Sequence, residues 1–136
     1  MMAHGFTPPR LLRHADVQAA LANSGWRRKM VLGEADSLLA VTEDFIIDCN
    51  HGVRLTAQHT PPRGPGGRVA ILLHGWEGSS RSLHVVSGAD RLWREGFRIV
   101  RINMRDHGDS QHLNRDIFHS CRLDEMVDAV RWVRDR

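Results

Sequence analysis

A chain of 136 residues with 41% hydrophobic and 26% charged residues has the size and composition of one ordinary globular domain. Its 19 basic residues exceed its 16 acidic residues by three and, being nearly all scattered arginines, predict no nucleic-acid partner. No apolar run approaches the roughly 20 residues of a membrane span, and the N-terminus has no signal-peptide pattern. Because Cys49 and Cys121 also lack paired spacing, we expect a cytoplasmic protein without a disulfide framework.

The first 43 residues are expected to form a helical segment, and residues 44–136 are expected to form a sheet with its crossover helices. Apolar positions over residues 11–21 predict a short helix, which Gly25 would end. A second short helix is predicted over residues 34–40.

The next segment predicts a β-hairpin. Residues 45–49 are mostly apolar, and residues 53–58 alternate apolar with polar side chains, as in a half-buried strand. Asn50, His51 and Gly52 between them supply turn residues, so the two strands should pair antiparallel. Residues 60–67, rich in proline and glycine, are predicted to form a loop.

The remaining chain alternates strands with helices. Residues 69–73 are continuously apolar, which is typical of a strand covered on both faces, and residues 97–104 form the next predicted strand. Apolar side chains recur at helical spacing after each strand, and Gly96 closes the first helix. These side chains are Val85, Val86, Ala89, Leu92 and Trp93, then Leu123, Met126, Val127, Val130 and Val133. The predicted fold class is α/β, with an antiparallel hairpin leading into parallel strand–helix–strand–helix.

The loop after the first parallel strand is the strongest candidate site, because ligands bind beyond the carboxyl ends of such strands. It contains His74, Gly75, Trp76 and Glu77. Gly75 would permit a sharp turn that leaves the Trp76 backbone N–H free to stabilise the oxyanion of an acyl-transfer intermediate. A His-Gly pair alone indicates only a tight turn. The glycine spacing matches neither a dinucleotide fingerprint nor a P-loop.

The loop after the second parallel strand has two interpretations. It is rich in possible metal ligands, namely His107, His112, His119, Asp106, Asp109 and Asp116. Their spacings match no familiar ligand motif, so we expect neither a metal nor a cofactor. Instead, Arg105 and the aspartates should pin the loop by hydrogen bonds, Gly108 should allow its bend, and residues 105–108 should line the crevice. Whether Trp76 walls an acyl pocket or is merely packed stays open.

At these residues the chain resembles the α/β-hydrolase superfamily and, within it, the YheT-like hydrolases related to the mammalian ABHD group. The resemblance spans residues 11–133. It is carried by residues 72–80, by Asn103-Met104-Arg105, by Phe118-His119-Ser120 ahead of Asp124-Glu125, and by the early Val17-Gln18 and Arg27-Arg28.

This resemblance implies a serine-hydrolase mechanism acting on a small-molecule ester. A serine in a G-x-S-x-G elbow attacks the carbonyl, a histidine acts as base, and an acidic residue orients that histidine. One oxyanion-hole donor maps onto the Trp76 N–H, while His74 and Gly75 shape the loop and His74 is not the base. Asp106 stands where the superfamily usually has glycine, which leaves the geometry of that turn open.

No G-x-S-x-G occurs in the 136 residues. The nucleophile, acid and catalytic histidine are therefore expected outside this chain, which alone should be inactive. The alternatives are a non-catalytic gene remnant, an interaction module, or a chain completed by a second polypeptide. We also expect the strand at 97–104 to form an unpaired sheet edge that promotes self-association.

Overall fold

Three helices precede the sheet in the computed structural model, which describes residues 7, 9–22, 24–65 and 67–136. After a 3₁₀ turn at Arg10–Arg13 they are α1 (Ala15–Ala22), α2 (Gly25–Glu34) and α3 (Asp36–Ala40). The prediction that Gly25 ends a helix is wrong, because Gly25 is the first residue of α2. The Ser24 side chain accepts a hydrogen bond from the Arg27 N–H at 3.2 Å and so caps a helix that the apolar pattern did not indicate.

The sheet has four strands in the order β1-β2-β4-β3. They are β1 (Glu43–Asp48), β2 (Arg54–Thr60), β3 (Val69–Leu73) and β4 (Arg98–Ile102). The predicted hairpin is confirmed: β1 and β2 are antiparallel, and the turn between them places His51 and Gly52 at positive φ. Strand β4 pairs antiparallel with β2 and parallel with β3, with Ile71 opposite Val100. The sheet is therefore mixed, in agreement with the predicted α/β fold of an antiparallel hairpin that leads into parallel strands.

The position of the free edge differs from the sequence-based expectation. Strand β4 was expected at the edge, but it lies between β2 and β3, and β3 has no second neighbour within the described ranges. Ile71 packs on one face of β3 and Ala70 and Leu72 on the other, as the continuous apolar run predicts. The expectation was wrong because an apolar run reveals packing on the faces of a strand but not the order of its neighbours.

Helices cover both faces of the sheet. Helix α4 (Leu83–Arg94), closed by Gly96 at φ 87°, lies with α2 and α3 on one face, and α5 (Leu123–Arg134) lies on the other. Alternation along β4 turns Val100 and Ile102 toward α5. Ile99 and Arg101 consequently face the side of α4. No helix within the described residues combines the length and apolarity needed to traverse a bilayer.

Candidate functional site

His74 is the first residue beyond β3, and its ring joins the two loops at the carboxyl end of the sheet. The Met104 N–H donates to Nε2 at 3.1 Å, so Nδ1 carries the proton and donates to the Gly75 carbonyl at 2.8 Å. Burial lowers the pKa of His74, with further lowering by the nearby His107 and His84, while the bond to Gly75 opposes the shift. The ring is therefore neutral, and both of its nitrogens are already hydrogen-bonded.

The turn that follows exposes Trp76 and Glu77. The Gly78 N–H donates to the Gly75 carbonyl at 3.0 Å and closes the turn, with Glu77 in the left-handed region at φ 55°. Among the described residues, the backbone N–H groups of Trp76 and Glu77 form no hydrogen bond, and Trp76 is 75% exposed. The turn therefore presents two unpaired backbone donors beside the crevice.

A side chain would be crowded at Gly78 rather than at Gly75, which corrects the sequence-based assignment. Gly75 is outside the positive-φ region, and a Cβ added there would meet no atom of the described residues within 4 Å. A Cβ on Gly78 would lie 3.0 Å from the Gly75 oxygen, 3.1 Å from the His74 Cβ and 3.2 Å from the Ser82 Oγ. The motif spacing locates the turn but cannot show which of its residues meets a neighbour.

Asn103, at the end of β4, connects the two loops with β2. Its Oδ1 accepts a hydrogen bond from the Ser80 N–H at 2.7 Å, and its Nδ2 donates to the Thr56 Oγ1 at 2.8 Å. Sequence reasoning did not select Asn103 as a site residue. The available signal was an amide side chain directly after a buried strand, at the carboxyl end of the sheet, where ligands bind.

The second loop is anchored by a buried ion pair. The Arg105 Nε and Nη2 donate to the two carboxylate oxygens of Glu125 at 3.2 and 2.7 Å, and both side chains are at most 6% exposed. Asp116 lies 3.7 Å from Arg105, and Arg122 also contacts Glu125. Arg105 thus ties the loop to α5.

Asp106, His107 and Gly108 line a recess of about 410 Å³ together with Trp76 and Glu77, whereas Arg105, which was expected to line it as well, does not. Asp106 is left-handed at φ 62°, so an aspartate adopts here the conformation that a glycine would adopt most readily.

Aromatic contacts form one wall of this recess. The rings of His74 and His107 are 4.8 Å apart, His107 meets Phe118 edge-on at 5.0 Å, and Phe118 meets Trp76 at 6.1 Å. The structure thus brings Trp76 and Glu77 together with residues 106–108, with His74 behind His107.

Neither serine that follows a glycine by two positions is accessible. Ser80 and Ser110 are each 1% exposed, and the Ser110 Oγ donates to the His107 carbonyl at 2.7 Å. In the part of the chain that the structure describes, no three histidine, cysteine, aspartate or glutamate side chains are grouped so that they could hold a metal ion.

Comparison with known proteins identifies the fold. No family model matches the chain, and no curated protein matches it either. Among solved structures, it is similar to a lidless serine hydrolase of Xanthomonas campestris, with 23% identity over 69% of this chain and 44% of that one, at a TM-score of 0.57. It is also similar to an esterase of Pyrococcus furiosus, with 20% identity over 70% of this chain and 36% of that one, at a TM-score of 0.60.

A third solved structure, the esterase Est22, matches 90% of this chain and 38% of its own length, with 16% identity and a TM-score of 0.56. The chain spans less than half the length of each of these structures. Their shared architecture shows that this chain has part of an α/β-hydrolase fold.

Proposed function

We propose that this chain forms the oxyanion-hole side of a serine hydrolase that cleaves carboxylic esters of small molecules. The observation that carries the proposal is the Trp76 N–H, which has no hydrogen-bond partner among the described residues and lies in a tight turn at the carboxyl end of β3. The α/β-hydrolase fold of the chain supports it, as do the serine hydrolase and esterase among its structural neighbours. The proposal extends to a kinship with the YheT-like group, and it assigns the nucleophile, acid and base to sequence outside these 136 residues.

The proposed chemistry uses the backbone rather than a side chain. When a serine oxygen adds to the ester carbonyl carbon, the carbonyl π electrons move onto oxygen and create an oxyanion. The Trp76 N–H would donate to that oxyanion, and one such donor contributes about 2.7–4 kcal/mol to lowering the barrier. His74 would keep the donor in place, because its ring bonds the Gly75 carbonyl on one side and the Met104 N–H on the other.

The decisive test removes the donor and keeps the fold. In the protein in which this chain is joined to its nucleophile, Trp76→Pro deletes the N–H and should lower kcat by about 10²–10³-fold on a p-nitrophenyl ester. Trp76→Ala is the matched control, because it removes the indole and keeps the N–H. It should leave kcat within a few-fold of the wild-type value, and it should raise KM if the indole forms a wall of the acyl pocket. A folded Trp76→Pro enzyme with unchanged kcat would refute the assignment of the donor.

The 136-residue chain alone provides a second test. A fluorophosphonate probe should label no serine in it, because no G-x-S-x-G is present and both Ser80 and Ser110 are buried. Stoichiometric labelling of one serine would contradict the placement of the nucleophile outside the chain.

A second candidate function is self-association through the free edge of β3. Val69 and Leu73 are 39% and 47% exposed, and an apolar edge strand without a covering element favours pairing with another strand. The occupant would be a second copy of the chain. Leu73→Lys should then shift light-scattering mass from dimer to monomer, whereas Val41→Lys, at a similarly exposed position before the sheet, should not. A wild-type chain that stays monomeric at high concentration would exclude this candidate.

A further inference from the structure

The recess beside Trp76 is acidic, although the chain as a whole is basic. Glu77 and Asp106 line it, and no arginine or lysine does so among the described residues, although the chain has 19 such residues. Arg105 is the neighbour of Asp106 in the chain, but its guanidinium group holds Glu125 instead. The lining of the recess therefore has two carboxylates and neither a guanidinium group nor a lysine ammonium group to balance them.

Both carboxylates are open to a ligand. The Glu77 side chain is exposed, and Asp106 is half-buried. Within the described ranges, neither side chain forms a hydrogen bond or an ion pair. The two residues belong to different loops, since Glu77 follows β3 and Asp106 follows β4. A ligand that enters the recess can therefore contact both carboxylates without displacing a partner from either.

Aromatic rings supply the remaining contact surface of the recess. The rings of Trp76 and Phe118 are 6.1 Å apart and inclined at 61°, so together they form a corner. Trp76 is 75% exposed and the neighbouring Ile117 is 73% exposed, so this apolar surface is accessible. The electron-rich face of an indole or phenyl ring attracts a cation that lies against it. The rings and the carboxylates therefore favour a ligand of the same charge.

The combination of rings and carboxylates narrows the kind of ligand. A volume of about 410 Å³ lies within the range of small-molecule sites. An anionic group would be repelled by the two carboxylates, and a neutral group would leave their charge unbalanced. An alkylammonium group meets both requirements, because its alkyl groups are apolar and its charge is positive.

We propose that the recess binds the alkylammonium group of a cationic ester, with Trp76 and Phe118 contacting its alkyl groups and Glu77 and Asp106 balancing its charge. This inference rests on the proposed function, because the ester carbonyl of the same substrate would accept the hydrogen bond of the Trp76 N–H. The recess would thus select cationic esters over neutral and anionic ones.

A pair of isosteric esters tests this selection. In the protein in which this chain is joined to its nucleophile, kcat/KM should be at least about fivefold higher for acetylcholine than for 3,3-dimethylbutyl acetate, which has carbon in place of nitrogen. The preference should shrink as NaCl is added, because the carboxylates are accessible to solvent. Equal kcat/KM values for the two esters would refute the inference and would leave the proposed ester hydrolysis intact.

Two charge-neutralising variants locate the site. Glu77→Gln and Asp106→Asn preserve the shape of each side chain, and asparagine tolerates the left-handed conformation at position 106. Each should lower the preference for acetylcholine about 2–5-fold, and the double variant should lose most of it. Glu34→Gln, at an exposed glutamate of α2 outside the recess, is the matched control and should keep the wild-type preference. A double variant that also keeps it would rule out recognition by these carboxylates.

Binding to the 136-residue chain separates failure of the inference from failure of the proposed function. Tetramethylammonium chloride, at ionic strength held constant with NaCl, should shift the indole N–H resonance of Trp76 in a saturable manner. The resonance is identified by its loss in Trp76→Phe. The neutral tert-butanol, which is of similar size, should bind at least about fivefold more weakly. If neither ester is hydrolysed, the proposed function fails and this titration alone decides the inference. An unmoved resonance, or equal affinity for the two compounds, would overturn it.

Discussion

The loops after β3 and β4 lie side by side but are held in different ways. The loop at 74–82 is shaped by its backbone, with a closed turn, a left-handed Glu77 and two N–H groups that have no partner in the part of the chain that the structure describes. The loop at 103–122 is anchored by side chains, chiefly the Arg105–Glu125 pair. The first loop is attached to the second at both ends, through His74 with Met104 and through Ser80 with Asn103. The loop with exposed donors is therefore positioned by a neighbour with buried anchors.

The largest expected effect comes from breaking the anchor of the second loop. Arg105→Met leaves Glu125 as a buried charge without its bidentate partner and should lower the free energy of unfolding by about 3–5 kcal/mol, measured in urea. Arg131→Met removes an exposed arginine that pairs with Asp128 across one turn of α5, and it should cost less than about 1 kcal/mol. Equal losses in the two variants would show that the buried pair is not a special anchor.

Gly108→Ala perturbs the packing of Gly108 against Asn103 within the second loop. Its Cβ would lie 2.7 Å from the Asn103 Nδ2, at a residue with φ 62°, so we expect a loss of about 1–3 kcal/mol in thermal or urea unfolding. Gly88→Ala in α4 is the control, because a Cβ there meets nothing within 4 Å among the described residues and alanine favours a helix. A Gly108→Ala chain as stable as the Gly88→Ala chain would contradict the close approach.

Substitutions of the two glycines in the first loop test which of the two positions has no room for a side chain. Gly78→Ala should destabilise by about 1–2 kcal/mol, because its Cβ would press on the Gly75 carbonyl and the His74 Cβ. Gly75→Ala should change the stability by no more than about 0.5 kcal/mol. The reverse order of losses would restore Gly75 as the residue on which the turn depends.

The smallest effect concerns the pH dependence of the link between the loops. Burial lowers the pKa of His74 below the value of 6.5 that an unperturbed histidine has. The stabilisation by the neutral ring is therefore complete above pH 6.5 and is lost as the pH falls below 6.5. In His74→Gln this part of the pH dependence should vanish, so the stability difference between wild type and variant should shrink as the pH falls below 6.5. The contribution of His59, whose pKa is also lowered, is common to both chains and cancels. A constant difference across this range would contradict a neutral, buried His74.

Local pattern predicted much of this fold. The continuous apolar run of β3 and the helical spacing in α4 and α5 matched the structure closely, because each pattern reflects burial of one face or both. Helix α2 was missed because its start depends on the Ser24 cap rather than on apolar spacing. The two candidate loops follow β3 and β4 at the carboxyl end of the sheet, as predicted. Asn103 was missed because its partners, Thr56 and Ser80, are distant along the chain. Gly78 was missed because the motif spacing does not show that a Cβ there would crowd the Gly75 carbonyl and the His74 Cβ.

The sequence by itself determined the α/β class, the helices and strands on either side of the two motif loops, and the absence of G-x-S-x-G. Only the tertiary structure decided that β3 rather than β4 is the free edge, and that the Arg105 guanidinium holds Glu125 while the Nε and Nη2 of Arg101 have no partner among the described residues. The reason is physical. Periodicity and turn chemistry act between near neighbours in the chain, whereas strand order and the pairing of buried charges depend on groups brought together by packing.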